Sequence, residues 1–160
     1  MVKRMNKRQL EQLKRSLKDL KGKKKEQRQE LKKWLKYFDL SQINQILRGV
    51  DDGIDVSDYV DPRFTELQMC QIRYGINHNL DVSIYADPKY DWEQMGKISG
   101  GLKKGVDVSI YADPEYDAMQ MGEILLGLER GIDVSYYADP EVGASHMGTI
   151  REMLESWEND

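Results

Sequence analysis

The chain has 160 residues and a formal net charge of −4, which is the size of one domain or of one short repeat array. No apolar run is long enough to cross a bilayer, and the basic N-terminus lacks the apolar core of a secretory signal. A single cysteine excludes an internal disulfide framework and suits a reducing, cytoplasmic compartment.

The charge is divided between two segments. Residues 1–36 carry 15 Lys and Arg against 4 Asp and Glu, a local charge of +11, whereas residues 37–160 carry 9 against 24, a local charge of −15. We therefore expect a basic arm over residues 1–35 and an acidic domain over residues 36–160.

The arm is predicted to be helical. Its leucines follow the spacing of a coiled-coil seam, at Leu10, Leu13, Leu17 and Leu20. A lysine-rich stretch around Gly22 interrupts the seam, so two structures fit: a helical hairpin that turns at Gly22, or one long helix with a polar middle. The glycine and the lysines favour the hairpin.

A 26-residue repeat organises residues 36–160 as four copies and a terminal helix. Asp-Val-Ser begins at Asp55, Asp81, Asp107 and Asp133. Asp-Pro begins at Asp61, Asp87, Asp113 and Asp139, and the first copy lacks this start. An unbroken period of this length is typical of stacked supersecondary units.

Each copy is predicted to contain one long and one short helix. Asp113 suits an N-cap and Pro114 the first helical position, while Gly131 suits the left-handed residue that ends a helix. These signals predict a helix of about 17 residues from Pro114 to Arg130. Asp133 then caps one further turn. The alternation Val-Ser-Ile-Tyr at 82–85 and 108–111 also fits a strand, but the capping aspartate and the following Asp-Pro favour a short helix.

The fold class is therefore all-α, a helical-repeat solenoid in which stacked neighbours bury faces that one copy cannot bury alone. Glycines recur within the long helices, where they cost about 1 kcal/mol against alanine, so they predict close helix–helix approach: Gly49, Gly75, Gly101 and Gly127. The last copy has Met153 and Trp157 where its neighbours have glycine.

The arm is a candidate nucleic-acid-binding site, because clustered Lys and Arg neutralise phosphates. Its candidates are Lys14, Arg15, Lys18, Lys21, Lys23, Lys24, Lys25, Arg28, Lys32 and Lys33. The alternatives are a solvated coiled-coil face and an arm that binds an acidic partner.

The acidic repeats could imitate the charge of nucleic acid and occupy a protein's basic groove. Most repeated aspartates are explained as caps, so the candidate partner-binding residues are Asp58, Tyr90, Asp91, Glu93, Glu115, Tyr116, Asp117 and Glu141. A tyrosine ladder is either a protein-binding surface or core with its hydroxyls at the rim.

The sequence predicts no catalytic residue, metal site or cofactor. His78 and His146 fall at different repeat positions, and no cysteine or carboxylate pairs with them at ligand spacing. Cys70 stands where other copies have glycine and is predicted to be buried filler. Repeated Asp-x-Ser-x-Tyr is expected to be a cap rather than a catalytic motif.

The unit Gly-Val-Asp-Val-Ser-Ile-Tyr-Ala-Asp-Pro-Glu-Tyr-Asp-Ala-Met-Gln-Met at 105–121 resembles tandem repeats in proteins of gut Clostridia, their phages and their conjugative elements. The resemblance covers residues 36–160 and implies a mobile-element context. It suggests an inhibitor of a host defence complex, such as a Cas9–guide RNA complex in the bacterial cytoplasm.

The expected function is thus a non-enzymatic binding protein that inhibits a host nucleic-acid-handling complex. Two alternatives remain: a plasmid or phage accessory protein that binds DNA or RNA through the arm, and a structural homodimer or adaptor that pairs through Leu10–Leu20.

Overall fold

The computed structural model describes residues 37–158 together with Arg8. Over these residues the protein is all-α, with no strand. Five α-helices alternate with shorter segments: α1 Leu40–Asp51, α2 Glu66–Asn77, α3 Trp92–Lys104, α4 Ala118–Glu129 and α5 Ala144–Glu158. Three of the short segments are 3-10 helices: η1 Val82–Ile84, η2 Val108–Ile110 and η3 Val134–Tyr136. The equivalent segment of the first copy contains turns.

The chain divides into two compact units, Met1–Pro88 and Lys89–Asp160. In the first unit, α1 packs against α2, and η1 packs against α2. In the second unit, α4 packs against α3 and α5, η2 against α3, and η3 against α4. The predicted boundary between residues 35 and 36, the Leu10–Leu20 seam and the Gly22 turn lie outside the described residues.

The long helices begin four residues later than the sequence predicted. The N-cap of α4 is Asp117, whose carboxylate accepts the Gln120 amide at 2.8 Å. The Gln120 side chain accepts the Asp117 amide in return, which completes a capping box. Asp113-Pro114 instead forms a turn, in which the Tyr116 amide donates to the Asp113 carbonyl at 3.1 Å. The predicted helix from Pro114 was therefore wrong at its start.

The same arrangement recurs in both units. Asp39, Thr65 and Asp91 cap α1, α2 and α3, each with a glutamine at the third helical position. These glutamines also donate to carbonyls of the following Asp-Pro turn. Gln120 Nε2, for example, donates to the Pro140 and Val142 carbonyls at 2.8 Å each. One buried side chain thus fixes a helix start and joins it to the next copy.

The helix ends agree with the prediction. Gly105 and Gly131 have φ of +73° and +77°, a conformation that costs glycine no steric clash. The turn at Gly131 lets the Ile132 amide donate to the Gly127 carbonyl at 2.9 Å. Asn79 takes the equivalent position in the second copy with a φ of 56°.

The short segments after α2, α3 and α4 are 3-10 helices. This confirms the prediction of a short helix over the alternative of a strand. Asp81, Asp107 and Asp133 cap them by accepting the amide two residues later at 3.0–3.1 Å. Each segment places one valine and one tyrosine against the preceding helix. The four tyrosines, Tyr59, Tyr85, Tyr111 and Tyr137, are at most 1% exposed. They are therefore core residues, but their hydroxyls lie against the helical glycines and not at the rim, as the core alternative had them.

The repeated helical glycines accommodate these tyrosines. A Cβ atom on Gly101 would overlap the Tyr111 hydroxyl and lie 2.8 Å from Val108 Cγ1. The close approach was therefore predicted, and it is made by the copy's own short helix η2 and its C-cap Tyr111 rather than by a second long helix. The Tyr111 hydroxyl donates to the Lys97 carbonyl at 3.2 Å. Burial raises the pKa of the equivalent Tyr137 to about 12.

Candidate partner-binding surface

The predicted nucleic-acid-binding residues, Lys14 to Lys33, all lie outside the described residues. The predicted partner-binding residues lie in the described part, and the structure separates them into three groups. Two are buried tyrosines, two are helix caps and four are exposed acids.

The two tyrosines belong to the core. Tyr90 and Tyr116 are 7% and 6% exposed. The Tyr90 hydroxyl donates to the Ala112 carbonyl at 2.6 Å. The pKa of Tyr116 is raised first by burial and then by the nearby acids Asp139 and Asp113. Neither ring offers much surface to a partner.

The two helix caps are exposed, and both accept hydrogen bonds from backbone amides. Asp91 Oδ1 accepts the Glu93 and Gln94 amides at 2.8 Å each. Asp117 accepts the equivalent pair of amides on α4 at the same distance. Their charge faces solvent, yet replacing either would also disturb a helix start.

The remaining four, Asp58, Glu93, Glu115 and Glu141, are exposed. No ion pair or side-chain hydrogen bond engages them among the described residues. Asp58 lines a cavity of about 350 Å³ in the first unit, beside Asp61 and Arg63. Glu115 and Glu141 follow Asp-Pro in successive copies of the second unit and therefore occupy equivalent positions.

In the second unit, two stretches form what we call the acidic turn surface, residues 106–118 and 132–144. They contain seven acidic residues and no Lys or Arg. All seven are exposed: Asp107, Asp113, Glu115, Asp117, Asp133, Asp139 and Glu141. The residue after Asp-Pro is basic in earlier copies, at Arg63 and Lys89, and acidic in the last two.

Local hydrogen bonds favour the charged form of two of these acids. The Ser109 hydroxyl and then its amide lower the pKa of Asp107, and Ser135 does the same for Asp133. In the first unit, by contrast, the Arg63 guanidinium donates to the Asp61 carboxylate at 2.6 Å and neutralises it.

Exposed apolar side chains lie within the acidic turn surface, and the sequence reasoning gave them no role. Ile110 is 39% exposed and Tyr136 is 69% exposed. Both end a 3-10 helix, at the position that Asp58 and Ile84 hold in the first unit. The sequence contains a pattern that identifies both residues, because each is the third residue after a capping aspartate, Asp107 or Asp133. Exposed apolar side chains among acidic residues are suited to contact with a basic protein surface.

Cys70 is half-buried and not fully buried as predicted. Within residues 37–158 no group of His, Cys, Asp and Glu side chains converges as a metal site requires. None of the helices in that range has the length and apolar character of a membrane span. Comparison with family models, curated proteins and solved structures found no match.

Proposed function

We propose that this protein is a non-enzymatic inhibitor, encoded by a phage or mobile element, of a bacterial nucleic-acid-handling complex. The proposed target class is an RNA-guided nuclease of the Cas9 kind, in the host cytoplasm. The observation that carries the proposal is the acidic turn surface, which has seven exposed acids and no basic residue.

The proposed mechanism is charge imitation. Such nucleases hold a guide–target duplex in a positively charged channel and recognise it through its backbone and shape. Acids on ordered turns would meet those Lys and Arg residues with little loss of conformational entropy. Ile110 and Tyr136, which are exposed among the acids, would supply the apolar contacts that make the complex tight.

We further propose that the 26-residue units stack as a solenoid. The glutamine bonds to the next Asp-Pro turn recur in both units, at Gln42, Gln68, Gln94 and Gln120, and the sequence period is unbroken between the units. Stacking would space Glu115 and Glu141 by one repeat, as a regular row of charge requires.

In this proposal the basic arm contacts the RNA or DNA held by the target, or an acidic surface beside it. Residues 1–36 carry a local charge of +11, which suits phosphate neutralisation. Six arm lysines changed to Glu would then weaken inhibition; unchanged target binding would remove this role from the arm.

The test replaces the two unpaired acids by amides. We expect Glu115→Gln with Glu141→Gln to weaken binding to a guide-loaded Cas9-type nuclease by at least about tenfold at low salt and to restore DNA cleavage, because close interfacial charge pairs contribute about 1.5 kcal/mol or more each. Affinity is measured by surface plasmon resonance at two salt concentrations.

The matched control is Asn44→Lys with Asn77→Lys, which changes the net charge by the same two units at exposed sites on α1 and α2. Equal loss of affinity in both variants would show that net charge alone matters, and that outcome contradicts the proposal. Failure of the unaltered protein to bind any nuclease in a guide-loaded panel also contradicts it.

The charge of the arm supports a second candidate, an accessory protein that binds DNA or RNA directly. A gel-shift titration distinguishes the two. Tight binding to nucleic acid alone, with an affinity that falls steeply with salt, would favour the accessory role. Binding only after the nuclease is added would favour the inhibitor.

A further inference from the structure

A cavity in the first unit differs in its lining from the equivalent turns of the later copies. Its volume is about 350 Å³, within the range of about 300–1,000 Å³ that is usual for small-ligand sites. One wall is formed by residues 57–64 and the other by residues 86–88. Two residues of the first wall, Asp58 and Phe64, depart from the repeat, and both departures change what the cavity can bind.

Phe64 lacks a hydroxyl group that its counterparts have. The next two copies have Tyr90 and Tyr116 at this position. The Tyr90 hydroxyl donates to the Ala112 carbonyl at 2.6 Å, and Ala86 is the residue equivalent to Ala112. Because the Phe64 ring cannot donate, the Ala86 carbonyl lacks this partner, and the space that a hydroxyl would take stays open.

Asp58 adds an acceptor to the same cavity. Later copies have an apolar or aromatic residue at this position: Ile84, Ile110 and Tyr136. Asp58 is exposed, and no residue in the described part of the chain pairs with its carboxylate. One departure thus removes a hydrogen-bond donor and the other supplies a charged acceptor, so the cavity presents acceptors without matching donors.

The arginine that lines the cavity is already engaged. Arg63 Nε and Nη2 donate to Asp61 Oδ2 at 2.9 and 2.6 Å. Together with Asp58 and Asp87, the lining has three carboxylates against one guanidinium, a net charge of −2. The cavity is therefore suited to a cation that carries several hydrogen-bond donors.

A guanidinium group matches these acceptors better than an ammonium group does. It carries five N–H donors in one plane and no acceptor, and this geometry lets it bond to a carboxylate and to a neighbouring carbonyl at once. Free arginine also has an α-carboxylate, which the net negative charge of the cavity repels. An arginine within a protein chain has no such group, so the expected ligand is a side chain of a partner protein.

We propose that this cavity is a binding site for the guanidinium group of an arginine side chain presented by a partner protein. The Asp58 carboxylate and the Ala86 carbonyl accept its N–H donors, while Arg63 stays paired with Asp61. Arginine is among the residues that contribute most to protein interfaces when they enter a pocket. The site lies in the first unit, so the inference is independent of the acidic turn surface and of the proposed inhibition.

Titration of the full chain with a capped arginine tests the proposal. The probe is N-acetyl-arginine N-methylamide, and binding is followed by the backbone amide shifts in proton–nitrogen NMR spectra. We expect saturable shift changes within residues 57–64 and 86–88. N-acetyl-citrulline N-methylamide has nearly the same shape but no charge, and it should cause none. No saturable change with the arginine probe, or equal saturation by the citrulline probe, would overturn the proposal.

Phe64→Tyr is the sharpest variant, because it restores the hydroxyl without a change in charge. The new hydroxyl should donate to the Ala86 carbonyl and occupy the open space. We therefore expect the dissociation constant of the arginine probe to rise at least about tenfold, while the midpoint of the urea transition stays the same or moves higher. A folded Phe64→Tyr protein that binds the probe as tightly as before would show that the cavity is not the site.

Asp58→Asn removes the added charge and should raise the same dissociation constant at least about fivefold, because hydrogen bonds to charged groups are the stronger ones. Its matched control is Asp81→Asn, which makes the same change in charge at an exposed cap outside the cavity. Asparagine also caps helices well, so the control should bind the probe normally. This pair of variants decides the question if Phe64→Tyr does not fold.

Two further outcomes would contradict the proposal. An equal loss of affinity in Asp58→Asn and Asp81→Asn would show attraction by net charge alone. Tighter binding of free arginine than of the capped probe would indicate a small-molecule site, and the assignment to a partner protein would then be wrong.

Discussion

At the scale of single residues, each repeat depends on one tyrosine that lies against one glycine. Tyr111 is 0% exposed, its hydroxyl donates to the Lys97 carbonyl, and Gly101 leaves the space that the hydroxyl occupies. The cost of glycine in a helix is thus offset by the burial of a large aromatic ring. The pairing explains why glycine recurs inside helices that would otherwise favour alanine.

Two adjacent glycines of α3, Gly100 and Gly101, allow a test of the tyrosine–glycine pairing. Gly101→Ala should lower the free energy of unfolding by about 1–3 kcal/mol, because the new methyl group overlaps Tyr111 and Val108 in a packed site. Gly100→Ala is the control, since nothing lies within 4 Å of its Cβ position. It should raise stability by up to about 1 kcal/mol through helix propensity. Urea unfolding followed by circular dichroism measures both.

Adding Tyr111→Phe to Gly101→Ala removes the overlapping hydroxyl and should recover part of the loss. Equal effects of the two alanine substitutions would contradict the assignment. The sequence predicted that Gly101 meets a close neighbour and that Tyr111 is core. It did not predict that the two meet each other, because helical spacing identifies a face but not the element that covers it.

At the scale of elements, the start of each long helix rests on a capping box and not on Asp-Pro. Asp followed by Pro suits both a helix start and a turn, because both use the φ to which proline is restricted. The deciding signal was in the sequence: Asp117 is followed three residues later by Gln120, as Thr65 is by Gln68. The existence and ends of the helices were predictable, whereas their starts needed this second pattern.

Substitution of two aspartates in one copy distinguishes a helix capped by Asp117 from a helix that starts at Asp113-Pro114. Asp117→Ala should cost about 1 kcal/mol of stability, because the Met119 and Gln120 amides lose their acceptor. Asp113→Ala should cost less, since Asp113 accepts one exposed amide, that of Glu115, at 3.0 Å. The two variants are compared by urea unfolding and by helical ellipticity at 222 nm. A larger loss for Asp113→Ala would restore the sequence-based helix start at Pro114.

At the scale of the whole molecule, the net charge of −4 is the sum of a basic segment and an acidic segment, and neither segment has a charge near that value. The arm is basic, and the acids of the described residues are unevenly used. Many serve as caps or ion-pair partners, while Glu115 and Glu141 remain unpaired on the acidic turn surface. All eight candidate partner residues were predicted from the sequence as surface residues; six of them are exposed, whereas Tyr90 and Tyr116 are buried. Burial depends on which neighbouring copy covers a side chain, and spacing alone does not show this.

The repeat makes a prediction for the chain as a whole. Removal of residues 92–117 joins Asp91 to Ala118 and deletes one period, so α4 acquires the N-cap of α3 and Gln120 keeps its third helical position. If the copies are interchangeable, stability is approximately a sum over copies and their interfaces. The shortened protein should then fold cooperatively, with lower stability and an m-value reduced by roughly a fifth, in proportion to the surface that folding buries.

The control removes residues 92–104, half a period, which joins Asp91 to Gly105 and leaves the η2 segment without its helix. This variant should lose its cooperative urea transition, because Tyr111 and Val108 no longer have Gly101 to pack against. If both deletions unfold, each copy is specific to its place and the repeats are not interchangeable. If both fold alike, the unit of the architecture is shorter than 26 residues, and the tyrosine–glycine pairing is not what holds a copy together.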